Sequence, residues 1–337
     1  MSPTISVLLL VLVTGVFFPS QSAHSQEDQS KSEPLTVTTQ YSYGATGTCK
    51  SGTNLVVRLQ YAGTEPLRGY LVRIALADPT SGKILEQQLV DEVRDSHEAM
   101  IASGTTWTRS ICLMPMTAKV KQITNSNTLD SVSVRATVDV LKFADNSIWG
   151  PAALRESHQL IGKLDGMDFI SKTTELSGFV SPILPDRGPL PVRDVQSQTI
   201  GPLTIESGVW QDEHGQDMMA VAVTNETDTP IRGYLFTTSF LDPVTGTRIR
   251  RFSTKELEIH GNPPDYLAPG STWVADPRKF SHLSDGSLAS YKIALDLVVF
   301  ADGSNYGPKK SPESDEVLGM IDGIDSANPK HQRIPYE

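Results

Sequence analysis

Seven histidines, at positions 24, 97, 158, 214, 260, 282 and 331, are the side chains of this 337-residue chain best suited to proton transfer or metal binding near neutrality. No two stand at i, i+2 or i, i+4, the spacings that put two imidazoles on one side of a strand or helix. The G-x-S-x-G, H-E-x-x-H and Walker patterns are absent. Carboxylates offer more, because four recur at matching places: Asp78 with Asp242, Asp139 with Asp296, Asp145 with Asp302, and Asp165 with Asp322. Such pairs can ligate calcium or act as the acid and base of a glycosidase. Yet Asp78, Asp145 and Asp165 open Asp-Pro, Asp-Asn and Asp-Gly dipeptides, where the carboxylate bonds nearby backbone in a turn. Asp139 and Asp296 fall mid-strand and are expected to pair across strands. No catalytic residue, metal site or cofactor is assigned.

Aromatic residues recur too, Trp107 with Trp273 and Trp149 with Tyr306. Trp149 and Tyr306 are the candidate ligand-facing aromatics, able to stack on a sugar or a protein side chain. The competing role is filling a core and covering a hairpin. "RIRRFSTKELEI" (Arg248 to Ile259) reads as a charged sheet edge rather than an anion patch. The two cysteines, Cys49 and Cys112, are expected to form a disulfide if the chain is exported. Such a loop stabilises by about 4 kcal/mol in the chain-entropy model.

The elements that must position these residues are written twice. "RGYLVRIALADPTSGKIL" (Arg68 to Leu85) returns as "RGYLFTTSFLDPVTGTRI" (Arg232 to Ile249). "VDVLKFADNSIWGP" (Val138 to Pro151) returns as "LDLVVFADGSNYGP" (Leu295 to Pro308), and "ESHQLIGKLDGMD" (Glu156 to Asp168) as "ESDEVLGMIDGID" (Glu313 to Asp325). No histidine survives from one copy to the other, which excludes a symmetric pair of histidine-based sites. Apolar residues alternate with period two: Tyr70, Val72, Ile74 and Leu76 match Tyr234, Phe236, Thr238 and Phe240. Val134, Ala136, Val138 and Val140 match Tyr291, Ile293, Leu295 and Leu297 on one expected face. About seven short strands per copy, with Asp-Pro, Asp-Gly and Pro-Gly turns, predict a sandwich. Each copy is expected to end in a short helical or irregular tail, with Ser311-Pro312 as a start and Gly166 and Gly323 as stops.

The expected organisation follows. Residues 1–25 read as a signal peptide, with an apolar stretch from Ser6 to Phe18 and small residues Ala23 and Ser25 before the cleavage point. Its n-region lacks Lys and Arg, so an uncleaved anchor is the alternative; if cleavage occurs, no membrane span remains in the mature chain. Residues 26–34 are polar and expected to be disordered. Copy 1 takes 35–170, a Pro-rich linker 171–197, copy 2 198–326 and a C-terminal tail 327–337. Copy 1 holds 13 basic and 13 acidic residues, whereas residues 198–325 hold 10 and 19. With a net charge of −10 the chain lacks the basic footprint of a nucleic-acid binder.

"VAVTNETDTPIRGYLFTTSFLDPVTG" followed by "LAPGSTW" resembles bacterial extracytoplasmic immunoglobulin-like or fibronectin-III-like modules. The "FADGSNYGP" hairpin is similar to one in secreted bacterial proteins of unknown function. The resemblance implies an all-β fold of two tandem immunoglobulin-like antiparallel β-sandwiches and a secreted or periplasmic location. It implies no catalytic residue. The expected function is non-enzymatic, mediating protein–protein interactions in the cell envelope or outside the cell. A carbohydrate-binding accessory module is the second reading and a hydrolase the third; the partner is an unidentified protein or glycan.

Overall fold

Antiparallel strands make up most of the described residues of the computed structural model, and among those residues they pair only within a copy. The described residues are 33–43, 53–94, 98–112, 132–175, 195–211, 214, 217–242, 244–257, 266–274, 278–279 and 290–327. Copy 1 stacks the sheet β1(Leu35–Tyr43), β2(Thr53–Tyr61), β5(Thr106–Cys112) on a second sheet. That second sheet runs β4(Ile84–Val93), β3(Leu67–Ala77), β6(Ser133–Phe143), β7(Ile148–Trp149). In copy 2 the first sheet is β8(Val195–Ile200), β9(Leu203–Gln211), β10(Asp217–Asn225), β13(Thr272–Val274), with β14(Arg278–Lys279) also against β10. The second is β12(Arg248–Leu257), β11(Ile231–Leu241), β15(Ser290–Phe300), β16(Asn305–Tyr306). The all-β, sandwich-type reading of the sequence holds. Each copy has its own core between its sheets, around Leu59, Tyr70 and Val72 in one and Val223, Tyr234 and Phe236 in the other.

Turn chemistry closes the hairpins as expected. Asp78 accepts from the N–H groups of Thr80 and Ser81 at 2.7 and 2.9 Å, and Asp242 from Val244 and Thr245 at 2.9 and 2.7 Å. Asp145 and Asp302 do the same for Ser147 and Ser304. The backbone bonds hold Asp78 and Asp242 below the usual carboxylate range, and the serine hydroxyl, followed by the same residue's N–H, does so for Asp145 and Asp302.

The helices differ from expectation. α1(Arg155–Glu175) and α2(Pro312–Ala327) run straight through Gly166 and Gly323, so neither glycine is a stop, and Asp165 and Asp322 are helical rather than turn residues. Ser311 does cap α2, accepting from the Ser314 N–H at 3.3 Å, and Pro312 occupies the first turn, where no N–H is needed. Each helix packs on the outer face of its own second sheet. Leu160 and Leu164 cover Leu71 and Val140, while Val317 and Ile321 cover Leu235, Leu297 and Val299. This burial on both faces makes β3 and β11 continuously buried rather than alternating.

Val140 and Leu297 therefore lie on the helix side, not with Val138 and Leu295 in the sandwich core. The reason is a β-bulge at the same place in each copy. Leu71 pairs with Val140 and Val72 with Val138, so Asp139 is the extra residue; Asp296 is its counterpart between Leu295 and Leu297.

Candidate functional site

Asp139 and Asp296 are 1% and 8% exposed, and a buried mid-strand carboxylate repeated in both copies would ordinarily point to chemistry. The bulge aims each instead at the start of the following helix. Asp139 accepts from the Leu154 N–H at 3.1 Å and from the Ser157 hydroxyl. Asp296 accepts from the N–H groups of Lys310 and Ser311 at 3.0 and 3.1 Å and from the hydroxyls of Ser311 and Ser314. Their backbone carbonyls also accept from Ala152 and Lys309, two non-glycine residues with positive φ. Gly150 and Gly307 pass so close that a Cβ would sit 2.5 and 2.4 Å from those same carbonyl oxygens. The expected cross-strand role of the two aspartates is thus replaced by helix capping.

Burial pushes the Asp296 carboxyl up, but the serine hydroxyls and the two N–H donors outweigh it and hold it below the usual carboxylate range. A folded pKa below the unfolded one gives stabilisation that is complete above about pH 4 and drains as pH falls through the folded value. Acid titration followed by helical circular dichroism should therefore show α2 weakening below about pH 4. An Asp296→Asn variant that melts with the same acid profile as the wild type would refute this.

The repeated Arg-Gly-Tyr has a second task. Arg68 and Arg232 are 2% and 4% exposed and reach their helices, where Arg68 meets Asp168, about two turns before the end of α1, at 2.6 Å and Arg232 grips Asp325 in the last turn of α2 at 2.9 and 3.0 Å. Gly69 and Gly233 are bare because Leu164 and Leu257 side chains stand 2.8 and 2.7 Å from where a Cβ would be. Tyr70 then enters the core and takes a 2.9 Å bond from Trp107 Nε1. Its hydroxyl donates to Glu92 at 3.0 Å, and Glu92 also binds Arg94 and Arg109. This cluster ties β3, β4 and β5 together. Burial raises Glu92, yet the Arg94 and Tyr70 bonds and the Arg109 charge leave it below its usual range.

The two helices meet each other along glycines. A Cβ on Gly162 would lie 2.0 Å from the Glu316 carbonyl oxygen, and one on Gly319 2.1 Å from that of Gln159. Gly166 faces Met320 and Gly323 faces Lys163 at 2.1 Å in the same way. The helices run parallel, related by a local two-fold, with each glycine Cα under a partner carbonyl. Charge is divided unequally across this seam. Arg155, His158 and Lys163 of α1 meet Asp315, Glu316 and Asp322 of α2 at 2.5, 3.0 and 2.7 Å. The acidity of copy 2 is partly the complement of the α1 helix. The repeated G-x-x-x-G at 162/166 and 319/323 was the available sequence signal for this seam.

The two candidate aromatics have different surroundings. Trp149 is half-buried against the copy 1 core. Tyr306 is 48% exposed and lies over Gly201, whose Cβ would come 2.3 Å from the ring. Cys112 ends β5 opposite Asn54, while Cys49 lies outside the described residues. Among the described residues no helix is long and apolar enough to cross a membrane, and no group of three or more His, Cys, Asp or Glu is placed to hold a metal.

No family model and no curated protein matches the chain. Among solved structures, it is similar to red sea bream transglutaminase at 13% identity over 80% of this chain, with a TM-score of 0.21. It is also similar to an anti-sigma factor domain-containing protein at 11% identity, over 82% of this chain and 90% of the other, with a TM-score of 0.15. The chain spans 29% of the length of the transglutaminase.

Proposed function

We propose that this is an exported, non-enzymatic protein whose two immunoglobulin-like sandwiches bind protein partners in the cell envelope or outside the cell. One observation carries the reading: the polar residues shared by both copies hold elements together. Arg68 and Arg232 anchor helices, Asp139 and Asp296 cap them, and Asp78, Asp145, Asp242 and Asp302 close turns. What differs between the copies is surface charge, which is where partner choice is made. The carbohydrate-binding reading draws on the exposure of Tyr306 alone, since Trp149 packs inward. The hydrolase reading has no further support.

The test recovers the tagged full chain from its own cells after crosslinking in place. A protein held at fixed stoichiometry in a non-cytoplasmic fraction is expected. The same mass spectra should show a mature N-terminus at Gln26 and a Cys49–Cys112 crosslinked peptide. Turnover of a glycan, ester or peptide by the purified chain would overturn the non-enzymatic reading. Recovery of a bound glycan in place of a protein would transfer the case to the second.

A further inference from the structure

Copy 1 carries a groove of about 460 Å³ between β3, β4 and the two helices. Its floor is apolar, formed by Leu71, Leu89, Leu160 and Leu318, and its rim carries Asp91 and Glu156. Lys163 also lines it, but its ammonium is held 2.7 Å from Asp322. Asp91 and Glu156 are exposed and have no ion-pair partner among the described residues. An aliphatic floor beneath uncompensated carboxylates suits a flexible hydrocarbon stem that ends in a cation.

The second copy shows what such a position accepts. Asp91 faces Leu71 in the β3–β4 register, and Lys255 faces Leu235 at the same register of β11 and β12. Lys255 extends over the matching helix and brings its Nζ to 3.9 Å from Met320 Sδ, where α1 has Lys163. Glu313 and Asp165 keep the acids of Glu156 and Asp322 at the corresponding positions. Copy 2 thus supplies its own lysine to this place, and copy 1, by exchanging that lysine for an aspartate, leaves it open with the charge reversed.

We infer that the copy 1 groove is a docking site for a lysine side chain of a partner protein. The inference rests on the protein-binding reading above and deepens it. The lysine stem would lie on Leu71, Leu89 and Leu160, with its ammonium between Asp91 and Glu156. Lysine suits the site better than arginine, because scattered single carboxylates do not offer the planar two-oxygen partner that a guanidinium prefers.

The test uses the intact chain with labelled leucine methyls. Acetyl-Leu-Lys-Leu-amide is titrated against the same peptide with norleucine in place of lysine. The Leu71, Leu89, Leu160 and Leu318 methyls should shift and saturate with the lysine peptide, and bind the norleucine peptide about tenfold more weakly. Asp91→Lys copies the residue that copy 2 already tolerates at that register, so it should fold and lose the response. Glu156→Gln should weaken it with the methyl spectrum otherwise unchanged. Equal shifts with both peptides would show a merely apolar groove and overturn the inference. Absence of any shift would overturn it as well, while crosslinked partners mapped to another surface would leave the protein-binding reading standing.

Discussion

Asp168→Ala is expected to cost about 3–5 kcal/mol of stability, because it strands a buried guanidinium. The Arg68 side chain is 3% exposed, and Asp168 is the partner of its Nη1; its Nε and Nη2 have none among the described residues. Removing the carboxylate leaves a desolvated cation between β3 and α1. The double variant Arg68→Met, Asp168→Leu removes both charges and replaces them with apolar volume. It should recover most of the loss, since the pair itself contributes little beyond satisfying its own desolvation. Asp325→Ala in copy 2 should cost less, because the Tyr266 ring remains 6.0 Å from the Arg232 guanidinium. Urea unfolding of the four proteins decides the matter. An Asp168→Ala loss below about 1 kcal/mol would mean that Arg68 finds water and that the pair is not buried in effect.

Alanine at Gly162 and Gly319 is expected to invert the usual helix rule. Alanine ordinarily favours a helix interior over glycine by about 1 kcal/mol. Here each added Cβ would meet a partner-helix carbonyl oxygen at 2.0 or 2.1 Å, so the helices must separate. Each single variant should destabilise by about 1–3 kcal/mol, as overpacking does. The double variant should lose less than the sum, because the first insertion has already parted the helices. Cleavage near Asp186 gives a sharper readout. The two halves of the wild-type chain should stay together through the seam, and do so less well in high salt because the Arg155–Asp315 and Lys163–Asp322 ion pairs cross it. The double variant should release two folded halves, since each has its own core. Wild-type halves that part on cleavage would show that the glycine contacts do not hold the copies together.

Much of this was legible in the residues. Period-two alternation identified the strands, and Asp-Pro-x-x-Gly closed the hairpins because a carboxylate and a positive-φ glycine need only local chain. The recurring stretches predicted a fold made twice, and the sheets β4-β3-β6-β7 and β12-β11-β15-β16 share one strand order. The bulge was not legible: Val138 and Val140 look like neighbours on one face until the pairing with β3 shows Asp139 to be extra. The candidate aromatics Trp149 and Tyr306 looked equivalent in sequence, but one turned inward and the other covered a glycine turn.

By itself, then, the sequence determined the strands, the turns, the duplication and the charge difference between the copies, all properties of near neighbours or of self-comparison. Only the tertiary structure decided that two aspartates read as strand residues are helix caps, and that two glycines read as helix stops lie inside a helix. It also decided that copy 2's acidity faces the basic side of α1. The physical reason is common to all three. A glycine's lack of a Cβ and a carboxylate's charge take their meaning from what approaches them, and here the approaching groups lie 14 to 18 residues away or in the other copy.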